Sequence, residues 1–205
     1  MSSPTALLVV DLQHDFLPGG ALAVPDGDQI VEPIAELVAS RRFDVVVATQ
    51  DWHPAHHVSF ASAHPGREPF DEITLYDRPQ TLWPDHCVQG QPGAELHPSL
   101  PMAPVTAVIR KGSNPEVDSY SAFRNNWNAA GERPPTGLAG FLRELGVDEV
   151  WIVGLTRDFC ARWSAEDAAD AGFRVHVIWD LTRPVDPGSD RAVRRALGDR
   201  RVIID

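Results

Sequence analysis

The stretch EVWIVGLTRDFCARWSAEDAADAGFRVHVIWD, residues 149–180, decides the fold. It opens on a short Val/Ile run at 149–154, turns tightly into a helical segment at 159–171, and stops at Gly172, a C-terminal helix breaker. A second run rich in Val and Ile then follows at 174–180. Short apolar runs of this kind, separated by helical stretches, belong to strands buried on both faces of a parallel sheet. Outward from this unit the same runs recur at 6–11, 44–49, 105–110 and 202–204, and further helices are predicted at 28–40, 137–145 and 189–197. Six strands alternating with helices predict an α/β fold, a three-layer αβα domain with a mostly parallel sheet, spanning residues 1–205 as one unit. Residues 51–104 stand apart as a long insertion loop. The segment is rich in proline and weak in periodicity, yet it holds His53, His56, His57, His64, His86 and Cys87. A loop that long in a compact domain is functional or disordered, and its aromatics and histidines favour function.

Composition narrows the function. The chain of 205 residues is 43% hydrophobic and 23% charged, ordinary for a globular protein, and its net charge of −11 would repel a phosphate backbone or an anionic bilayer. Nucleic-acid and membrane partners are therefore not expected. The first apolar run, 6–10, lacks a basic flank and is far shorter than the ~20 residues that span a bilayer, so a cytoplasmic location is expected. Cys87 and Cys160, the two cysteines, are read as free thiols. Of the 18 basic residues 17 are arginine, which leaves Lys111 as the single lysine. A position that keeps lysine in such a background suits a compact ammonium held as a point charge in a small pocket.

Sites in open α/β sheets lie beyond the carboxyl ends of the strands. There the predicted strands deliver Asp11, Asp51, Lys111 and Cys160. Each has an ordinary structural reading, as a turn former or a small buried hydrophobe. Together, an acid, an ammonium and a thiol at one rim make a working nucleophile. Cys160 begins a helix, where free N–H groups and about half a unit of positive charge favour thiolate and can lower its pKa. Asp11 is then the proton acceptor. Cys87, directly after His86, is the rival nucleophile, but adjacent side chains rarely meet, so it is read as structural. Asp51 and His53, two apart in an extended segment, point to one side and can share an ion, with His86 as a third ligand. Carboxylate with imidazole suits zinc, iron or manganese.

These residues sit in segments that resemble a nicotinamidase (pyrazinamidase) of the isochorismatase-like cysteine hydrolase superfamily over nearly the whole chain. The resemblance runs through Val10-Asp11-Leu12-Gln13-His14-Asp15-Phe16, Gln50-Asp51-Trp52-His53-Pro54, Trp83-Pro84-Asp85-His86-Cys87, the segment from Lys111 to Ser121, and Gly154-Leu155-Thr156-Arg157-Asp158-Phe159-Cys160. It implies hydrolysis of nicotinamide to nicotinate and ammonia in NAD salvage, with pyrazinamide as a further substrate. The implied triad is Asp11, Lys111 and Cys160, and the implied oxyanion donors are backbone groups of Thr156 and Cys160 in a loop with a cis peptide. Phe16 and Trp83 would hold the ring. One divalent ion, zinc foremost with iron or manganese as alternatives, would be held by Asp51, His53 and His86, with His57 as a ligand in some members. The partner is then the small-molecule substrate; a homo-oligomer is left open.

Two positions depart from the family pattern. His14 stands where most members carry Asn, and Thr156-Arg157 where most carry a small residue followed by Thr. Arg157 either points away and pairs with Asp158 or an acid on a neighbouring helix, or points inward and crowds the ring. The outward reading is preferred, because a second cation beside Lys111 is costly to desolvate. The competing functions are another carboxamide or carbamoyl amidohydrolase of the superfamily, against which the metal trio argues, and a catalytically silent metal-binding scaffold, against which the complete triad argues.

Overall fold

The computed structural model describes residues 3–205. In chain order its strands are β1 (Thr5–Val10), β2 (Val45–Asp51), β3 (Glu72–Leu75), β4 (Arg78–Thr81), β5 (Ala107–Lys111), β6 (Glu149–Leu155), β7 (Arg174–Arg183) and β8 (Ile203–Ile204). The α-helices are α1 (Val31–Ala39), α2 (Leu138–Glu144), α3 (Arg162–Asp170) and α4 (Asp190–Asp199). Six strands form one sheet in the order β5-β2-β1-β6-β7-β8, and every neighbouring pair is parallel.

Along β1 the side chains alternate between two cores. Leu7 and Val9 join Val46 of β2 and Ile34 and Val38 of α1 on one face. Ala6, Leu8 and Val10 join Leu138 and Leu142 of α2, Ala165 and Ala168 of α3, and Val193 and Leu197 of α4 on the other. Burial on both faces is why the strands read as unbroken apolar runs. Each buried Val or Leu contributes about 1.5–3 kcal/mol from removal of apolar surface.

From β1 the chain builds one way through β2 and β5, and from β6 it builds the other way through β7 and β8. The reversal between β1 and β6 opens a crevice at their carboxyl ends. There Val10 pairs with Gly154, and a Cβ on Gly154 would overlap the Val10 carbonyl, so only glycine allows this approach.

Two expectations need correction. The segment 51–104 is not irregular throughout, because β3 and β4 form an antiparallel hairpin inside it. Its strands are four residues each and half-exposed, too short for a period to register. The helix expected at 159–171 is divided, with a π-helical turn over Arg157–Ala161 preceding α3. In that turn the Ala161 N–H donates to the Thr156 carbonyl at 2.9 Å, five residues back, which widens the winding, and the Phe159 N–H reaches the same oxygen at 3.2 Å. Among the described residues, no helix is long and apolar enough to cross a membrane.

Candidate active site

Four parallel strands deliver the reacting groups. Asp11 follows β1, Asp51 and Lys111 end β2 and β5 as register partners, and Thr156 follows β6 across a cis Leu155–Thr156 peptide, with Cys160 in the turn beyond. The Lys111 side chain is 0% exposed, and its Nζ lies 2.8 Å from Asp11 Oδ2, 3.1 Å from Asp51 Oδ1 and 3.4 Å from Cys160 Sγ. It also donates to the Ser119 carbonyl at 3.1 Å. Burial alone would discharge this lysine, but Asp11, Asp51 and Cys160 outweigh it and hold its pKa well above the usual value.

Burial pushes the Asp11 carboxyl above its ordinary range; Lys111 opposes the shift and the charge of Asp51 adds to it. Thr49 Oγ1 donates to Asp11 Oδ1 at 2.5 Å and fixes the carboxylate plane. The Cys160 thiol is also pushed well up by burial, with Lys111 only partly offsetting the effect. The expectation that a helix start leaves Cys160 with a lowered pKa is thus corrected: full desolvation outweighs the partial charge of a turn. A basic carboxylate next to a protonated thiol is an arrangement for transferring a proton during attack.

The second cluster shares Asp51. Its Oδ2 lies 3.1 Å from His53 Nε2 and 3.5 Å from His86 Nε2. His53 Nδ1 lies 3.0 Å from the Gly112 carbonyl and His86 Nδ1 lies 2.8 Å from the Pro84 carbonyl, so each ring donates from Nδ1 and presents Nε2 to the carboxylate. A carboxylate and two imidazoles converging in this way share a cation, either a proton, which Asp51 favours on His53 against the burial of that ring, or a metal ion. Spacings of 3.1 and 3.5 Å match neighbouring ligands around one ion bound at about 2.0–2.2 Å, so the residues fit a divalent metal. Gly112, at φ +67°, makes room for this: a Cβ there would overlap the His53 ring. Asp51 meanwhile sits well below the carboxylate range, because His53 and Lys111 outweigh its burial.

His57 falls in a separate group with His53 and Asp118. Its Nδ1 lies 2.7 Å from Ser59 Oγ, and burial lowers its pKa to about 4, so the ring is neutral at ordinary pH.

Both clusters open into one narrow cavity. Its walls include the expected Phe16 and Trp83, together with Asp118, Tyr120 and Phe159, which the sequence reading did not assign. Trp83 meets Phe159 edge to face at 4.7 Å, and Tyr120 meets Phe159 at 5.3 Å, leaving a slot with aromatic walls. Cys87 is fully buried and does not line the cavity. Its backbone carries the brace instead, with its N–H donating to Asp15 at 2.7 Å and its carbonyl accepting from His53 N at 3.0 Å. His14 lies beside His97, away from the cavity wall.

Arg157 points outward. It binds Asp190 at the start of α4 at 2.8 and 3.0 Å, donates to Trp179 and Thr182, and stacks over the Trp179 ring at 4.0 Å. Asp158 is not its partner; that carboxylate accepts the N–H groups of Val185 and Asp186. Both side chains tie the nucleophile turn to the stretch running from the end of β7 to the start of α4.

A model of the isochorismatase domain matches residues 5–197. The nicotinamidase of Acinetobacter baylyi is 51% identical over 181 residues, 88% of this chain and 82% of that protein. Among solved structures, a nicotinamidase/pyrazinamidase of Acinetobacter baumannii superposes with a TM-score of 0.92 at 43% identity, covering 100% of this chain and 96% of that one. The pyrazinamidase of Pyrococcus horikoshii in complex with zinc gives a TM-score of 0.79 at 34% identity, covering 98% of both chains. This chain belongs to the isochorismatase-domain family of hydrolases.

Proposed function

We propose that this enzyme hydrolyses nicotinamide to nicotinate and ammonia through a thioester on Cys160, with pyrazinamide as an alternative substrate. The observation that carries the reading is the meeting of an Asp11–Lys111–Cys160 cluster and a metal-donor trio in one cavity with aromatic walls. Relatives named nicotinamidase at up to 51% identity support it.

The ring of the substrate lies between Phe16, Trp83 and Phe159, with its carboxamide toward Cys160. Asp51, His53 and His86 would hold one divalent ion, with zinc first by its presence in the Pyrococcus horikoshii pyrazinamidase, and the ion would supply a Lewis-acidic point for a ring nitrogen. Asp11 takes the thiol proton as Sγ bonds to the carbonyl carbon, and the carbonyl π pair moves to oxygen. The backbone N–H groups of Thr156 and Cys160 stabilise that oxyanion. Collapse restores C=O and breaks C–N, and the nitrogen takes the proton from Asp11 to leave as ammonia. Water then attacks the thioester, Asp11 accepts its proton, and collapse breaks C–S and returns the proton to sulfur. Lys111 stays charged throughout and holds Asp11 and the sulfur in place. Nicotinate so formed feeds NAD salvage, and two free thiols support a cytoplasmic location.

Ammonia release from nicotinamide, set against an aliphatic amide, tests the reading. Chelation, or His53→Ala, is expected to raise KM at least about tenfold and to lower kcat, because ring anchoring supplies both binding and orientation. Equal kinetics in metal-free and metal-loaded protein would remove the metal from the mechanism. Arg157→Thr is expected to cost about 2 kcal/mol of stability, less than a fully buried pair because Asp190 reaches water. The ratio of kcat/KM for nicotinamide to that for a smaller amide should move less than about threefold. A melting curve and that ratio check both; a tenfold shift in the ratio would make Arg157 a specificity residue.

A further inference from the structure

Among the described residues, seven serine and threonine side chains are buried. Those of Thr49 and Thr182, for instance, donate to Asp11 and to the Trp179 carbonyl. Only the Thr156 hydroxyl has no hydrogen-bond partner in the protein, although the residue is 2% exposed. Buried hydroxyls are paired in the large majority of cases, since an unpaired one forfeits its hydration for nothing. Thr156 also walls the cavity that holds Cys160. Its missing partner is therefore sought in what the cavity binds.

A hydroxyl both donates and accepts, so the substrate's carbonyl oxygen and its amide N–H are both candidates. Three considerations select the oxygen. The amide nitrogen is served by Asp11, which passes it the proton taken from the Cys160 thiol. The Thr156 backbone N–H is directed at the oxygen in the proposed mechanism, and the N–H and Oγ–H of one threonine hang from adjacent atoms and can close on one acceptor. The Thr156 peptide is also held rigid, its carbonyl accepting from Phe159 and Ala161, which suits a preorganised donor.

Resting on the proposed amide hydrolysis, we infer that the Thr156 hydroxyl is a catalytic residue, a side-chain donor to the carbonyl oxygen as it becomes the oxyanion. When the Sγ–C bond forms and the π pair moves to oxygen, the hydroxyl proton stays on Thr156 and strengthens its hydrogen bond. When the pair returns and C–N breaks, that bond relaxes.

The test uses metal-loaded enzyme carrying Thr156→Val, which keeps the branched shape, and Thr156→Ser, which keeps the hydroxyl. Valine is expected to lower kcat on nicotinamide about 10- to 100-fold, at or below the lower limit of what loss of one oxyanion donor costs because the backbone donors remain, with KM within about threefold. Pyridine-3-carboxaldehyde, which the Cys160 thiol can add to as a tetrahedral hemithioacetal, should bind the valine variant weaker by a similar factor. Binding of 3-methylpyridine, a ring with no carbonyl, should not change. Serine should restore kcat to within about threefold of the parent. A valine variant with kcat within threefold of the parent overturns the inference, as does equal loss of the aldehyde and of 3-methylpyridine, the mark of a packing defect. Thr156→Ala replaces the valine variant if that one does not fold. A parent enzyme that releases no ammonia from nicotinamide overturns the functional reading, and the aldehyde comparison still decides whether the hydroxyl meets the oxygen.

Discussion

Cys160→Ala is expected to abolish ammonia release from nicotinamide, a loss on the order of 10⁴- to 10⁶-fold in kcat, while Cys87→Ala keeps most of the parental rate. Both thiols are buried and both have raised pKa values, so neither burial nor acidity separates them. Geometry does. Cys160 Sγ lies 3.4 Å from Lys111 Nζ and lines the cavity, whereas Cys87 packs into the core on the α1 side. The work of Cys87 is done by its backbone, which alanine retains at a stability cost of about 1 kcal/mol. Initial rates of the two variants, with melting curves to confirm folding, check the assignment. Comparable losses in both would mean that the nucleophile has been placed on the wrong sulfur.

The strands were legible because burial on both faces leaves a composition signal that needs no knowledge of the partner. Asp11, Asp51 and Lys111 followed from where strands end, and Lys111 stood out further as the one lysine among 18 basic residues. Asp51 and His53 were paired by a local spacing. His86 is distant in sequence and reaches them through the bond from His53 N to the Cys87 carbonyl, which no periodicity announces. Tyr120 and Phe159 were missed as cavity walls because an aromatic beside a motif residue reads equally as core. The acidity of Cys160 was misjudged for a related reason: a helix start is visible in sequence, but the closure of Lys111, Asp11 and the cavity walls around the sulfur is not.

Lys111→Arg is expected to be nearly as damaging as Lys111→Ala, each lowering kcat on the order of 10³-fold or more. The ammonium has three N–H bonds, and its Nζ lies within 3.1 Å of three oxygens, on Asp11, Asp51 and Ser119, with Cys160 Sγ completing the shell. A guanidinium spreads its donors in a planar fork and needs more volume, and a site with no exposed surface cannot yield that volume without moving Asp11 from the sulfur. Alanine fails differently, because it leaves two buried carboxylates facing each other, for which breaking a buried pair costs about 3–5 kcal/mol. Lys111→Met separates the lost volume from the lost ammonium, since it keeps the length of the side chain and removes the charge together with its three N–H donors. If methionine is as inactive as alanine while melting nearer the parent, the ammonium, and not the space it fills, is what the reaction needs. An arginine variant that keeps more than about a third of the parental rate would falsify the point-charge reading and leave the lone lysine an accident of composition.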